Sequence, residues 1–180
     1  MRADAARNLE TVLTTGARML AADPTASISS IAAEAGVDRR TVYRRFASRE
    51  ELLATIYESR LEAVEQAISD ARLKEAPVTV ALHRYVEGII AVNRKWPVDL
   101  TRMLTDDAVR ERRNASVREV DTFLQRAVDE GAIRAELPEG WAGALLPQLT
   151  HLVVRQMPDM SDGQAADLVV DTLVKGVGPA

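Results

Sequence analysis

The chain contains no cysteine, so neither disulfides nor thiolate metal sites can enter its chemistry. Imidazole is almost as scarce: His83 and His151 are the only histidines, 68 positions apart, and both read as surface or interface residues rather than ligands. Aromatic residues make up 4% of the 180 positions, while Ala, Leu, Val and Arg dominate. That balance favours helix over sheet, because β-branched and aromatic side chains are what strands prefer. No apolar run reaches about 18 residues, so no membrane span is expected. The start, MRADAARNLETV, lacks the continuous apolar stretch of a signal peptide. A soluble, cytoplasmic protein is the expectation. Catalytic patterns are missing too: no Gly-x-Ser-x-Gly, no His-Glu-x-x-His and no Walker pattern, so neither an enzyme nor a cofactor or metal is expected. Asp106-Asp107 and Asp159/Asp162 sit at helix starts, where acids favour the helix dipole.

What is present is apolar mass and an uneven charge. Hydrophobic residues make up 47%, enough for a real core, and the formal net charge is −4. The first sixty residues hold nine Lys/Arg against eight Asp/Glu, whereas the remaining 120 hold fourteen against nineteen. Between Arg39 and Arg49 lie five arginines (39, 40, 44, 45 and 49) and no acid. A short positive stripe on an acidic body fits a phosphate partner, although a solvated helix face would also carry one.

Helical periodicity runs almost throughout, with no convincing period-2 stretch. The pattern predicts nine helices. The first carries Leu9, Val12, Leu13, Gly16 and Leu20 on one stripe and stops before Asp23-Pro24. The second opens on Ser27 as N-cap, turns Ile28, Ile31, Ala32 and Ala35 inward, and stops at Gly36. Asp38 caps a third, Arg39 to about Phe46. Ser48 and Glu51 form a capping box for a fourth reaching about Arg72. Further helices are expected at 78–95, at 97 to about 105, from Asp106 or Asp107 to Gly131, and from Pro138 to Gln156 with Pro147 inside. Ser161 and Gln164 make a second capping box for a last helix through Lys175. With no linker or repeat, the division expected is 1–48 and 49–180, joined rigidly through the fourth helix.

The second and third helices have helix-turn-helix proportions. Gly36 permits the tight turn, and Ile31, Val37 and Val42 would form the small core that holds the helices crossed. The outward side is then Arg39, Arg40, Thr41, Tyr43, Arg44 and Arg45. In such a unit the later helix lies in the major groove, and arginine there can pair bidentately with guanine. Tyrosine and threonine hydroxyls and neighbouring arginines suit phosphates. Ser27, with the N–H groups it caps, offers a further phosphate contact at a helix start. The plainer reading is a helical hairpin with a basic surface; retention on duplex DNA distinguishes the two.

The stretch Ser27-Ile28-Ser29-Ser30-Ile31-Ala32-Ala33-Glu34-Ala35-Gly36-Val37, followed by Thr41-Val42-Tyr43-Arg44-Arg45-Phe46 and Ser48-Arg49-Glu50-Glu51-Leu52-Leu53, resembles the tetracycline-repressor (TetR) family. Gln125 to Arg134 is similar to a late-helix stretch of such proteins. The resemblance implies an all-α, nine-helix TetR-like architecture: a three-helix DNA-binding domain, then a helical ligand-binding and dimerisation domain. It implies a transcriptional regulator, most simply a repressor, that binds a palindromic operator as a homodimer and is released by a small-molecule effector. It places Thr41 and Tyr43 on phosphate, Phe46 in the core, and Arg49 where the family usually has a lysine that holds the DNA backbone. Arg40 and Arg45 depart from the family's frequent glycine and histidine, so the operator sequence does not carry over.

In the C-terminal part, Trp141, Leu145, Leu149, Leu152 and Gln156 lie on one helical stripe, broadened by Ala142, Leu146, Val153 and Met157. Leu168, Val169, Thr172 and Leu173 do the same on the last helix. That surface is wider than one intramolecular contact needs, so a homodimeric four-helix interface is expected, with Leu149 and Leu173 in it. Asn93 shares a stripe with Tyr85 and Trp96, and Arg113 lies between Val109 and Val117. Buried polar groups need partners; a ligand held by Tyr85, Asn93, Trp96, Met103 and Arg113 is one candidate, protein or water the other. Trp96 and Trp141 read most simply as core.

Overall fold

The computed structural model describes residues 2–98 and 106–177. Among the described residues every regular element is an α-helix: α1 (Arg2–Ala22), α2 (Ile28–Glu34), α3 (Arg39–Arg45), α4 (Arg49–Ala71), α5 (Val78–Lys95), α6 (Asp107–Asp129), α7 (Trp141–Gln156) and α8 (Asp162–Val177). The helix expected from Pro97 to about Thr105 falls largely outside the described residues, so eight of the nine are seen. No helix described is long and apolar enough to cross a membrane.

The chain divides into two compact units. The first holds residues 2–61 and 95–98, the second 62–94 and 106–177. The boundary between these two compact units falls inside α4. Its cause is packing: the first half of α4 buries Leu52, Leu53, Ile56 and Leu61 in the first unit. A Cβ on Gly16 of α1 would lie 2.9 Å from Ile56 Cδ1 and 3.5 Å from Ile31 Cγ2. The glycine lets α1 approach α4 and α2 closely. Lys95 belongs to this unit as well, bonded through Nζ to Glu10 Oε1 at 2.7 Å.

The second unit buries one face of α5 (Val78, Ala81, Leu82, Val86, Ile90) against Phe123, Leu124 and Ala127 of α6, Leu146 and Val153 of α7, and Ala165, Val169 and Leu173 of α8. Gly88 of α5 is a contact point with α4, since its Cβ would lie 2.9 Å from the Ala67 Cβ. Polar side chains brace the helices across this core. Arg112 forks onto Glu65 at 3.0 and 2.7 Å, and Arg94 reaches Asp162 Oδ1 at 2.6 Å and the Met157 carbonyl at 3.3 Å. His83 pairs with Asp167 at 2.9 Å.

Helix ends follow local chemistry. Asp106 caps α6 by accepting from the Ala108 and Val109 N–H groups at 2.8 and 3.2 Å. That helix ends on Gly131 (φ 75°), with Ala132 N–H returning to the Ala127 carbonyl at 2.8 Å. The Ser161–Gln164 box closes at 3.1 and 3.2 Å. The helix expected from Pro138 begins instead at Trp141, because Gly140 adopts φ 75° and breaks the run; Trp141 N–H bonds the Pro138 carbonyl in that turn. Within α7, Pro147 has no N–H to donate, and the buried Thr150 hydroxyl donates to the Pro147 carbonyl at 2.9 Å.

The stripes expected on α7 and α8 resolve into two faces. Ala142, Leu146, Thr150 and Val153 of α7, and Val169 and Leu173 of α8, point into the core. Trp141 (50% exposed), Leu152 (56%) and Leu168 (42%) point outward, with Leu145 and Leu149 half-buried. Trp141 is therefore not a core residue: at the first position of its helix it stands above the turn. Leu173, fully buried, is not available to an interface.

Candidate nucleic-acid interface

The first unit presents α2, a four-residue turn and α3 as its outer edge. Ser27 takes an extended conformation (φ −86°, ψ 156°) that stops the chain from continuing helically backwards. Its Oγ accepts from the Ser30 N–H at 3.0 Å, and Ser30 Oγ accepts from the Ser27 N–H at 3.0 Å, so a second serine closes the box usually closed by Glu or Gln. At the other end Gly36 sits at φ 64°. Its N–H bonds the Ala33 carbonyl at 3.1 Å and the Val37 N–H bonds the Ala32 carbonyl at 3.0 Å, the paired closure that a left-handed residue permits. Asp38 then caps α3, accepting from the N–H groups of Arg40 (2.8 Å) and Thr41 (3.3 Å). Ile31, Val42 and Phe46 are buried and Val37 half-buried, which holds the two short helices crossed.

That packing leaves Arg39, Arg40, Thr41, Tyr43, Arg44 and Arg45 exposed together on α3, with Ser27 exposed at the start of α2. Their guanidinium groups are not equivalent. Arg39 lies over the Tyr43 ring, 5.1 Å from its centroid. The Tyr43 hydroxyl sits 3.2 Å from Ser29 Oγ, and this bond, with a second from Arg39, holds its pKa below the usual phenol value. Arg45 lies 5.6 Å from the centroid of the Phe46 ring. Arg49 is half-buried and turned inward: Nε donates to the Ala26 carbonyl at 3.1 Å and Nη2 to the Pro24 carbonyl. Arg40 and Arg44 differ from these three. Among the described residues neither guanidinium has a hydrogen-bond, ion-pair or ring partner, and one helical turn separates them on the same face.

Two details depart from the sequence pattern. Ser48 Oγ accepts from the Glu51 N–H at 3.1 Å as expected, but the Glu51 carboxylate accepts from the Ala47 N–H at 2.7 Å rather than reaching Ser48. Ser29, absent from the expected site, joins it through Tyr43. Its outward position beside the inward Ile28, Ile31 and Ala32 was readable, but the tyrosine opposite depends on how the helices cross.

Of the residues expected to hold a ligand, Asn93 is buried on α5, Tyr85 half-buried on the same helix, and Arg113 half-buried on α6 with Nη1 3.5 Å from Asn114 Oδ1. All three belong to the second unit. Trp96 is buried in the first, where its carbonyl accepts from Arg60 Nε at 3.2 Å and Lys95 Nζ lies 5.7 Å from its ring centroid. Met103 lies outside the described residues.

Comparison with known proteins agrees with this geometry. Residues 12–56, which run from α1 through the turn into α4, match the family described as bacterial regulatory proteins, tetR family. Over 177 residues the chain is 29% identical to the HTH-type transcriptional repressor LfrR of Mycolicibacterium smegmatis (strain ATCC 700084 / mc(2)155), spanning 95% of this chain and 90% of that protein. The crystal structure of the TetR-like transcriptional regulator LfrR from Mycobacterium smegmatis in complex with proflavine superposes with a TM-score of 0.71 at 26% identity, covering 97% of this chain and 99% of that one. The ketosteroid transcriptional regulator KstR2 of Mycobacterium tuberculosis shares the fold at a TM-score of 0.76 and 17% identity, with 94% of each chain covered. With its helix-turn-helix inside the matched segment and a like fold along its length, the chain is similar to bacterial transcriptional regulators of the tetR family.

Proposed function

We propose that the chain is a TetR-family repressor that binds a palindromic operator as a homodimer, reads it with Arg40 and Arg44, and is released by a small-molecule effector. The observation that carries the proposal is the division of labour among the arginines. Arg39, Arg45 and Arg49 are committed to Tyr43, Phe46 and two backbone carbonyls, whereas Arg40 and Arg44 extend from α3 uncommitted. A free guanidinium on a major-groove helix is available for bidentate pairing with guanine. Thr41, Tyr43 with its Arg39 and Ser29 neighbours, Arg45 and Ser27 flank it and take phosphate contacts, which fix position without reading sequence. Arg49 acts at one remove, by holding the loop that delivers Ser27.

The homodimer rests on the outward faces of α7 and α8. Trp141, Leu152 and Leu168 leave large apolar side chains in solvent on helices whose opposite faces already fill the core, a pattern that suits a helical interface. The two α3 helices would then stand about 34 Å apart or a multiple of that turn. The effector reading draws support from LfrR, whose crystal structure holds proflavine. We assign Tyr85, Asn93 and Arg113 of the second unit to that ligand's surroundings. An effector releases DNA only by binding the non-DNA conformation more tightly.

The test is a gel-shift assay on a random-sequence duplex pool, with the mass of the retained complex measured. Salt-dependent retention as a dimer, reversed by proflavine, is expected. A monomeric complex sinks the dimer, and no salt-dependent retention at all sinks the DNA-binding reading. Retention indifferent to proflavine removes proflavine as effector.

A further inference from the structure

The second unit contains an unfilled space of about 220 Å³ at the end of α5 remote from Asn93. Its walls come from Val78 and Leu82 on α5, Phe123 and Ala127 on α6, Ile133 after it, and Leu173 on α8, all buried. Along α5 the wall residues stand 11 to 15 positions from Asn93, roughly 16–22 Å at the helical rise. The space exists because the chain is small and tightly turned there. Gly131 must be glycine-like at φ 75°, and the Ala127 carbonyl accepts both the Ala132 and Ile133 N–H groups at 2.8 and 3.0 Å. That pair of hydrogen bonds folds the segment back sharply and leaves Ala127 and Ala132 where a filled core would carry larger side chains.

Protein interiors seldom keep voids larger than a water molecule. The lining of this one is almost wholly apolar. Among the described residues no charged side chain lines it, and the exposed Thr79 is the only polar one that does. Water needs two or more polar partners to settle in such a place, whereas an apolar cavity of about 150 Å³ stays dry and accepts benzene. We infer that the space between the start of α5, the end of α6 and the end of α8 is a binding site for a small uncharged apolar molecule, of the size of a single aromatic ring or a short alkyl chain. The site goes beyond the effector reading above, because it shares no residue with Tyr85, Asn93 or Arg113. Its walls exclude charged ligands: nothing in them would repay the desolvation of an ion. Leu173 and Val174 form one wall, so an occupant braces the same helix that turns Leu168 outward.

The experiment is a titration of the full chain, methyl-labelled at Ile, Leu and Val, with toluene and separately with benzoate, followed by NMR. Saturable toluene shifts centred on Leu82, Leu124, Ile133 and Leu173 are expected, with none from benzoate. Ala127→Leu and Ala132→Leu each fill the space from a different side, and whichever variant retains the native spectrum should lose toluene affinity by about tenfold or more. Three results overturn the inference: no saturable toluene shift, shifts centred on Ile89 and Val92 instead, or undiminished affinity in the folded variants. A parallel proflavine titration of the operator complex keeps the two readings apart. DNA release by proflavine without toluene binding removes this site and leaves the effector reading standing; toluene binding without proflavine release leaves this site standing and removes proflavine as the effector.

Discussion

Arg49→Lys distinguishes a charge that touches DNA from a charge that holds the protein in shape. The arginine spans two carbonyls, Pro24 and Ala26, on the loop between α1 and α2. Lysine keeps the positive charge but lacks the planar fork, so it cannot satisfy both carbonyls in the same geometry. Hydrogen bonds to a charged group are worth about 1.5–3 kcal/mol in a protein, and Arg49 is only half-buried, so a loss of about 1–2 kcal/mol of loop order is the reasonable scale. The released loop carries Ser27, whose cap on α2 contributes about 1 kcal/mol of its own. If that order must be restored on binding, operator affinity falls by about tenfold per half-site. Anisotropy titrations of a labelled operator across a salt series measure both affinity and salt slope. The expected result is that Arg49→Lys and Arg49→Ala weaken binding alike, with the slope for Arg49→Lys unchanged. If Lys restores wild-type affinity, and Ala lowers the slope by about one per subunit, Arg49 is a phosphate anchor and the loop-holding role is wrong.

The other predictions concern packing, assembly and ionisation. Gly88→Val should destabilise the second unit by about 2–3 kcal/mol, because its Cβ meets the Ala67 Cβ and backbone with little room to yield; chemical denaturation reads this directly. Leu152→Glu combined with Leu168→Glu should give a folded monomer by light scattering, whereas Leu173→Glu should unfold the chain, since Leu173 is fully buried. A dimer persisting in the double variant would place the interface elsewhere. Asp23 accepts from the Thr25 hydroxyl and N–H at 2.7 and 2.8 Å, which lowers its pKa below the usual aspartate value. Its contribution to stability is therefore complete above the ordinary aspartate pKa and lost as pH falls through the lowered one. Thr25→Val should move the Asp23 titration upward in NMR; no movement would show that the hydroxyl is not the cause.

Local chemistry made most of the fold legible. The bounds of α5, Val78 to Lys95, followed from Pro77 before it and an unbroken apolar stripe within it. The caps at Ser27, Asp38, Asp106 and Ser161 were readable because each bond spans two or three residues. Where the reading slipped, distance was the reason. Trp141 looked like core from its stripe alone, but α7 has two apolar stripes, and periodicity does not say which one faces inward. The start of α7 moved from Pro138 to Trp141 because Gly140 was free to take φ 75°. In the proposed DNA-facing site all five arginines were visible as a run. Which were already occupied was not, because Arg49 meets Pro24 and Ala26 some two dozen positions back along the chain.

The central claim is that Arg40 and Arg44 read bases while their neighbours hold the backbone. Binding-site selection on the wild-type chain, Arg40→Ala and Arg44→Ala measures it most directly. The account predicts a palindromic wild-type site. Each variant should lose preference at one base pair per half-site, a discrimination of about 1–3 kcal/mol, with the rest of the site unchanged. If both variants select the wild-type sequence and only bind every duplex more weakly, Arg40 and Arg44 are phosphate contacts and the readers lie elsewhere on the helix.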